Sequence, residues 1–161
     1  MKKRAKLKLM VCVAENNLIG DKNPEGNGLL WHSKEELKYY KETTTGHVTL
    51  FGKNTALCVP VELMRKTREV IVLTRDTDID ALLEKYGETG KTVFVCGGEQ
   101  IYRYFLENYP MDELLVSRLK PHVEVQKPKA PLYLPHVEKY GYEVIEICDH
   151  EDFQVYKYRK K

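Results

Sequence analysis

The stretch Thr92-Val93-Phe94-Val95-Cys96-Gly97-Gly98-Glu99-Gln100-Ile101-Tyr102 changes its hydrophobic period partway along. Thr92 to Cys96 is a short apolar run, the pattern of a strand buried on both faces of a sheet. From Glu99 to Tyr109 the apolar positions Ile101, Phe105 and Tyr109 recur every four residues, the spacing of one helical face. Gly97 and Gly98 stand between, where backbone can approach a neighbour that a Cβ would exclude. Strand, glycine pair and helix in succession predict an α/β arrangement.

The same grammar extends outward in both directions. Leu7 to Ala14 reads as a buried strand, followed by Asn16-Asn17-Leu18-Ile19-Gly20 and a polar loop from Asp21 to Gly28 with Pro24, Gly26 and Gly28 as breakers. A helix runs from about Ser33 to Thr43 and stops at Gly46. Val48 to Phe51 is a strand, and Gly52-Lys53-Asn54-Thr55 opens a short helical stretch that Pro60 interrupts. Val70 to Leu73 is a strand closed by Thr74-Arg75-Asp76, and Ile79 to Tyr86 is a helix ended by Gly87. Beyond the quoted stretch come a strand at Leu114 to Leu119, a Pro-rich excursion from Pro121 to Pro135 with a short strand at Leu132 to Leu134, and two period-two runs, Tyr142 to Cys148 and Phe153 to Tyr158, that read as a closing antiparallel hairpin. The expectation is one α/β domain over residues 1–161: a mostly parallel, twisted central sheet of about eight strands with an antiparallel C-terminal edge hairpin, flanked by about four helices.

Composition narrows the class. At 161 residues the chain can bury a sizeable core without disulfides or metals, and its 42% hydrophobic and 31% charged residues are those of a soluble globular protein. The formal net charge of +2 is too small to argue for nucleic acid. Its basic residues crowd the two ends, at Lys2, Lys3, Arg4, Lys6 and Lys8 and at Lys157, Arg159, Lys160 and Lys161, and these read as solvated ends, with a nucleic-acid patch as the other reading. Cys12, Cys58, Cys96 and Cys148 lie far apart, without the close pairs of metal or redox motifs. They read as reduced thiols of a cytoplasmic protein. No segment has the apolar length of a membrane span, and Lys8 breaks the only signal-like run. The chain is expected to act as a monomer.

A second stretch carries the chemistry. In Gly28-Leu29-Leu30-Trp31-His32-Ser33-Lys34-Glu35-Glu36-Leu37-Lys38-Tyr39-Tyr40 a Gly-rich loop delivers the only tryptophan, and Glu36 follows in the first turn of a helix capped by Ser33. A carboxylate beside Leu37 and Tyr40 is costly unless something pairs with it. Ser33-Lys34-Glu35-Glu36 is equally a capping box, in which Glu36 would reach back to the Ser33 backbone. Three strand ends add phosphate-friendly groups: Gly97-Gly98 ahead of a helix N-terminus, Gly52-Lys53-Asn54-Thr55 with a cation and a hydroxyl, and Thr74-Arg75, whose guanidinium suits a ribose phosphate. Open α/β sheets bind ligands at such ends, and three together suggest a phosphorylated dinucleotide. The GxGxxG fingerprint is absent.

Read in order, Leu18-Ile19-Gly20, Leu29-Leu30-Trp31 with Glu36 and Tyr40, Gly52-Lys53-Asn54-Thr55, Arg68 leading into Ile71-Val72-Leu73-Thr74-Arg75, and Val95 to Tyr102 make the chain resemble dihydrofolate reductase over nearly its whole length. The resemblance implies NADPH-dependent reduction of dihydrofolate to tetrahydrofolate, with antifolates as ligands. It makes Glu36 the acidic residue that binds the pterin and favours protonation at ring nitrogen 5, with Ser117 bridging to it. It makes Trp31 the holder of an ordered water and Leu29 the residue that closes over the nicotinamide.

It further implies that Met10, Val11, Tyr40, Leu63 and Cys96 line the pterin and aminobenzoyl pocket, that Arg68 binds the α-carboxylate of the glutamate tail, and that Lys41 is a lesser tail contact. Cys12, Ile19 and Gly20 would surround the nicotinamide and its ribose. Gly52, Lys53, Asn54, Thr55, Leu73, Thr74, Arg75, Gly97, Gly98, Glu99, Gln100, Ile101 and Tyr102 would hold the rest of the cofactor, with a cis peptide at the glycine pair. No metal is implied. The chain departs from the family's usual pattern at Leu30, commonly proline, at Cys12, commonly alanine, and at Ala56, where an aromatic is common. A same-fold reductase of another heterocycle, such as the riboflavin-pathway pyrimidine, would share the cofactor half without Trp31, Glu36 and Tyr40 at this spacing. A folate or nucleotide binder without turnover would be marked by a missing acid, yet Glu36 is present.

Overall fold

A computed structural model describes residues 3–22 and 30–161. Four parallel-sheet strands come from the apolar runs: β1 (Leu7–Val13), then β3 (Val48–Gly52), β4 (Glu69–Leu73) and β5 (Val93–Val95), with the short β2 (Leu18–Asp21) following β1. The C-terminal third supplies β6 (Glu113–Leu119), β7 (Pro131–Tyr133), β8 (Tyr142–Asp149) and β9 (Phe153–Lys160). Seven of these form one sheet in the order β4-β3-β5-β1-β6-β9-β8. From β4 to β6 every neighbour is parallel, and β9 and β8 complete the sheet antiparallel.

Strand alternation separates two cores. Along β1, Leu7, Leu9, Val11 and Val13 face one side, against Leu82, Leu83 and Tyr86 of α4 (Ile79–Gly87) and Phe105 and Leu106 of α5 (Glu99–Asn108). Met10 faces the other side with Phe51, Phe94, Cys96, Leu115 and Phe153, where Tyr39 and Tyr40 of α1 (Lys34–Thr44) pack. Helix starts follow their caps: Ser33 Oγ accepts from the Glu36 N–H at 3.2 Å, and Asp78 Oδ1 accepts from the Ala81 N–H at 3.0 Å.

The sheet differs from the sequence expectation in two respects. Its main body has seven strands, because the strand expected at Leu132 to Leu134 forms as Pro131–Tyr133 outside it and pairs antiparallel with Leu18–Asp21, which was not expected as a strand, in a separate two-stranded sheet. Leu18-Ile19-Gly20 is too short to announce a strand, and its partner lies far along the chain. Pro60 also divides the helical stretch after Gly52 into two single turns, α2 (Lys53–Ala56) and α3 (Val61–Met64), giving five α-helices among the described residues. The closing hairpin forms as expected, with a register shift between Val144 and Glu146. No helix among the described residues is long and apolar enough to cross a membrane.

Candidate active site

Because β1, β3, β4 and β5 run in the same direction, their C-terminal ends emerge on one edge of the sheet. Cys12, Gly52, Leu73-Thr74 and Cys96-Gly97-Gly98 are thereby neighbours in space, and α1 crosses the Met10 face beside them.

Glu36 sits half-buried at the first turn of α1. Its backbone N–H uses the Ser33 cap, but its carboxylate makes no return bond to Ser33, and no donor among the described residues reaches it. Only half of a capping box forms. Burial alone raises its pKa from the usual 4.5 to about 7. Its charge is felt by Cys12, whose half-buried thiol is pushed well above its usual range first by desolvation and then by Glu36, while a hydrogen bond from Trp31 acts the other way. Trp31 is itself half-buried, packed against Ala14, Leu18 and Leu30. Ser117 is buried opposite Cys12 in the β1–β6 register, and its hydroxyl makes no hydrogen bond to Glu36.

The apolar wall below Glu36 is Met10, Phe51 and Cys96, with Tyr40 packed against the same cluster. Met64, Val59 and Val61 close its far end. Two expected lining residues are not brought to this wall. Leu63 is 62% exposed, since in the single turn of α3 it is Met64, at 5%, that points inward. Val11 packs in the opposite core, because its neighbours Met10 and Cys12 take the pocket face of β1. Met64 was the alternative to Leu63 that the sequence left open, whereas Phe51 escaped the sequence reading; the alternation along Val48 to Gly52 could have placed Phe51 beside Met10.

Arg68 enters the same cleft from the segment before β4. It is buried, donates from Nη1 to Thr44 Oγ1 at 2.9 Å and from Nε to Thr67 Oγ1 at 3.3 Å, and lies 5.7 Å from the centre of the Tyr40 ring. None of these partners is anionic, so the guanidinium keeps a charge to offer a ligand. Lys41 is exposed on the next turn of α1.

The glycine end has the shape of a cradle. The Gly97–Gly98 peptide is cis, and Gly97 has φ of 139°. The Gly52 N–H donates to Gly97 O at 2.8 Å. A Cβ on Gly98 would stand 2.5 Å from Thr55 Oγ1, and one on Gly52 would stand 2.8 Å from Ile101 Cγ1, so glycine at these positions lets the Thr55 and Ile101 side chains pack directly on the backbone. Gly98 is the N-cap of α5. Glu99 pairs with Arg103 at 3.3 Å, Gln100 is exposed, and Tyr102 spends its hydroxyl on Met10 O at 2.9 Å. Lys53 and Asn54 are exposed beside Thr55, while Leu73 belongs to the larger core. Beyond it, Thr74 Oγ1 accepts from the Asp76 N–H at 3.2 Å and Thr77 Oγ1 accepts from the Thr74 N–H at 3.0 Å, which shapes the turn that presents exposed Arg75. Ile19 packs against the larger core, and Gly20 pairs with Leu132. Leu29 lies outside the described residues. Among the described residues no group of three or more His, Cys, Asp or Glu side chains could hold a metal ion.

Comparison with known proteins agrees with this geometry. The chain is 27% identical to the dihydrofolate reductase of Mycoplasma genitalium, over 92% of this chain and 94% of that protein. It is 31% identical to a dihydrofolate reductase of Haloferax volcanii over 61% of this chain and 58% of the relative, and 31% identical to that of Staphylococcus haemolyticus over 63% of each. The dihydrofolate reductase family pattern matches residues 6–160, nearly the entire chain. On that match, and with an acid, an apolar wall and a glycine cradle along one sheet edge, the chain belongs to the dihydrofolate reductase family.

Proposed function

We propose that the protein reduces 7,8-dihydrofolate to 5,6,7,8-tetrahydrofolate with NADPH, as a cytoplasmic monomer supplying one-carbon metabolism and thymidylate synthesis. The observation that carries this reading is the pair of opposite charges at the two ends of one apolar wall. Glu36 offers a carboxylate without a protein partner, and Arg68 offers a guanidinium without an acid. A ligand that fits has amine and ring N–H donors at one end, a flat apolar middle and a carboxylate at the other. Dihydrofolate has this form.

Within that reading Glu36 binds the 2-amino group and adjacent ring nitrogen and orients the ring. Burial keeps its carboxyl near half-protonated at neutral pH, which favours proton delivery to ring nitrogen 5. Trp31 holds water near that carboxylate, Ser117 extends the polar end, and Met10, Cys96 and Tyr40 hold the ring faces. Arg68 takes the tail carboxylate in paired hydrogen bonds.

The cofactor fits the residues present. The glycine pair leads into the N-terminus of α5, whose backbone N–H groups suit a pyrophosphate, with the Thr55 hydroxyl packed against Gly98 beside it. Lys53, Asn54, Thr55, Thr74, Arg75 and Gln100 stand where phosphates, ribose and adenine would lie, and Cys12, Ile19 and Gly20 beside the nicotinamide. When bound, NADPH supplies the hydride. The test is NADPH oxidation by purified protein with dihydrofolate, against NADH and a riboflavin-pathway pyrimidine. Turnover confined to NADPH with dihydrofolate is expected; cofactor binding without dihydrofolate turnover would move the substrate to another heterocycle or leave a binder.

A further inference from the structure

The helix that carries Glu36 is tied at its start to a distant hairpin turn. Ser33 Oγ donates to Asp152 Oδ2 at 2.6 Å and at the same time accepts the Glu36 N–H at 3.2 Å. Glu35 reaches across the same gap, its Oε1 accepting from the Asp152 N–H at 2.8 Å and its Oε2 from the Glu151 N–H at 3.4 Å. The second oxygen of Asp152 takes His122 Nε2 at 3.0 Å, and the Asp152 carbonyl accepts from the Lys120 N–H at 2.8 Å. Phe153, the next residue, is fully buried in the core beneath the pocket. The turn is therefore a fixed point.

A serine hydroxyl ordinarily rotates to suit its neighbours. Here its single proton is committed to Asp152, so its lone pairs face the helix N–H. We propose that Asp152 is a positioning residue that acts through Ser33 to set the first turn of α1 and thereby to aim the Glu36 carboxylate at the bound ring. Glu35 and Glu36, adjacent on a helix, diverge by about 100°; fixing Glu35 on the hairpin turn leaves Glu36 directed at the pocket. The inference rests on the reading of Glu36 as the acid of the site.

The experiment compares D152A, D152N, S33A, S33A/D152A and E36Q in steady-state turnover of dihydrofolate with NADPH, alongside NADPH binding and thermal melts. D152A is expected to lose about tenfold in kcat at temperatures far below its melting midpoint, while NADPH affinity stays within about twofold, since a misplaced acid slows the reaction without touching the cofactor cradle. D152N keeps an acceptor for Ser33 and is expected to recover most of the loss. S33A/D152A should be no slower than S33A by more than about twofold, because both act through one contact. Wild-type kcat in D152A beside a slow E36Q overturns the clamp and leaves the site reading intact. Losses in S33A and D152A that multiply, or a matching loss of NADPH affinity, also overturn it. An E36Q protein with wild-type turnover removes the site reading and the clamp together.

Discussion

Arg68 and Thr44 meet inside the protein, guanidinium Nη1 to hydroxyl at 2.9 Å, and Thr44 in turn donates to Tyr40 O at 2.8 Å. The arginine is thus held by neutral hydroxyl oxygens, that of Thr44 lying on the helix that bears Glu36. A buried cation normally has an acid partner. Here the fold presents the cation and leaves the anion to a ligand. Replacing Arg68 by Ala should raise KM for dihydrofolate at least tenfold, matching about 1.5–3 kcal/mol for hydrogen bonds to a charged group. NADPH affinity, measured by titration of Trp31 fluorescence, should stay the same; a parallel loss would mean that Arg68 serves only the fold.

Glu36 makes stability depend on pH in a defined direction. Its pKa is near 7 in the folded protein and near 4.5 when exposed, so the folded state holds the proton more tightly. Its contribution is fully present below about pH 4.5 and is lost as pH rises through about 7. Glu36→Gln removes this loss. It should stabilise the protein at pH 8 by about 2 kcal/mol, after allowance for partial exposure at about 1.4 kcal/mol per pKa unit, and change little at pH 4. Thermal melts of both proteins from pH 4 to 8 test the sign, and equal pH slopes would show that the carboxyl is not buried as described.

Thr55 and Gly98 form a lock that one carbon breaks. Gly98→Ala places a Cβ 2.5 Å from Thr55 Oγ1, and overpacking of this kind costs about 1–3 kcal/mol. The variant should lose that stability and bind NADPH more weakly. Adding Thr55→Ala removes the clashing atom and should restore most of the stability. No recovery in the double variant would place the strain in the backbone instead.

Arg75 tests the choice of cofactor. It is exposed on a turn shaped by Thr74 and Thr77. Arg75→Ala should weaken NADPH about tenfold or more and NADH less than twofold, the size of one charge-assisted phosphate contact. Affinity for NADPH, and not for NADH, should also fall steeply with added salt. Equal losses for the two cofactors would remove the residue from phosphate recognition.

Local pattern was enough for the elements that build the sheet. Leu7 to Val13, Val48 to Gly52 and Val93 to Val95 are short, mostly apolar runs bounded by turn residues, the pattern of central parallel strands. Ser33 and the Glu36 spacing announced the start of α1 because a cap acts within one turn. The ordered motifs from Leu18 to Tyr102 carried the family resemblance for the same reason: each is contiguous.

Contacts across the chain were decided by tertiary structure. The pairing of Leu18–Asp21 with Pro131–Tyr133 joins segments that share no local signal. Whether Leu63 or Met64 turns inward depends on the phase of a single helical turn between Pro60 and Arg68, which sequence spacing alone leaves open. The capping-box reading of Glu36 held only by half: the Ser33 hydroxyl donates to Asp152 and still accepts the Glu36 N–H, while the Glu36 carboxylate makes no return bond to the Ser33 backbone. Strand and helix periods, and the residue types at the strand ends, are properties of short windows and were determined by the sequence itself. Which charge remains unpaired, as at Glu36 and Arg68, depends on what the rest of the chain brings near it, and only the folded arrangement settles that.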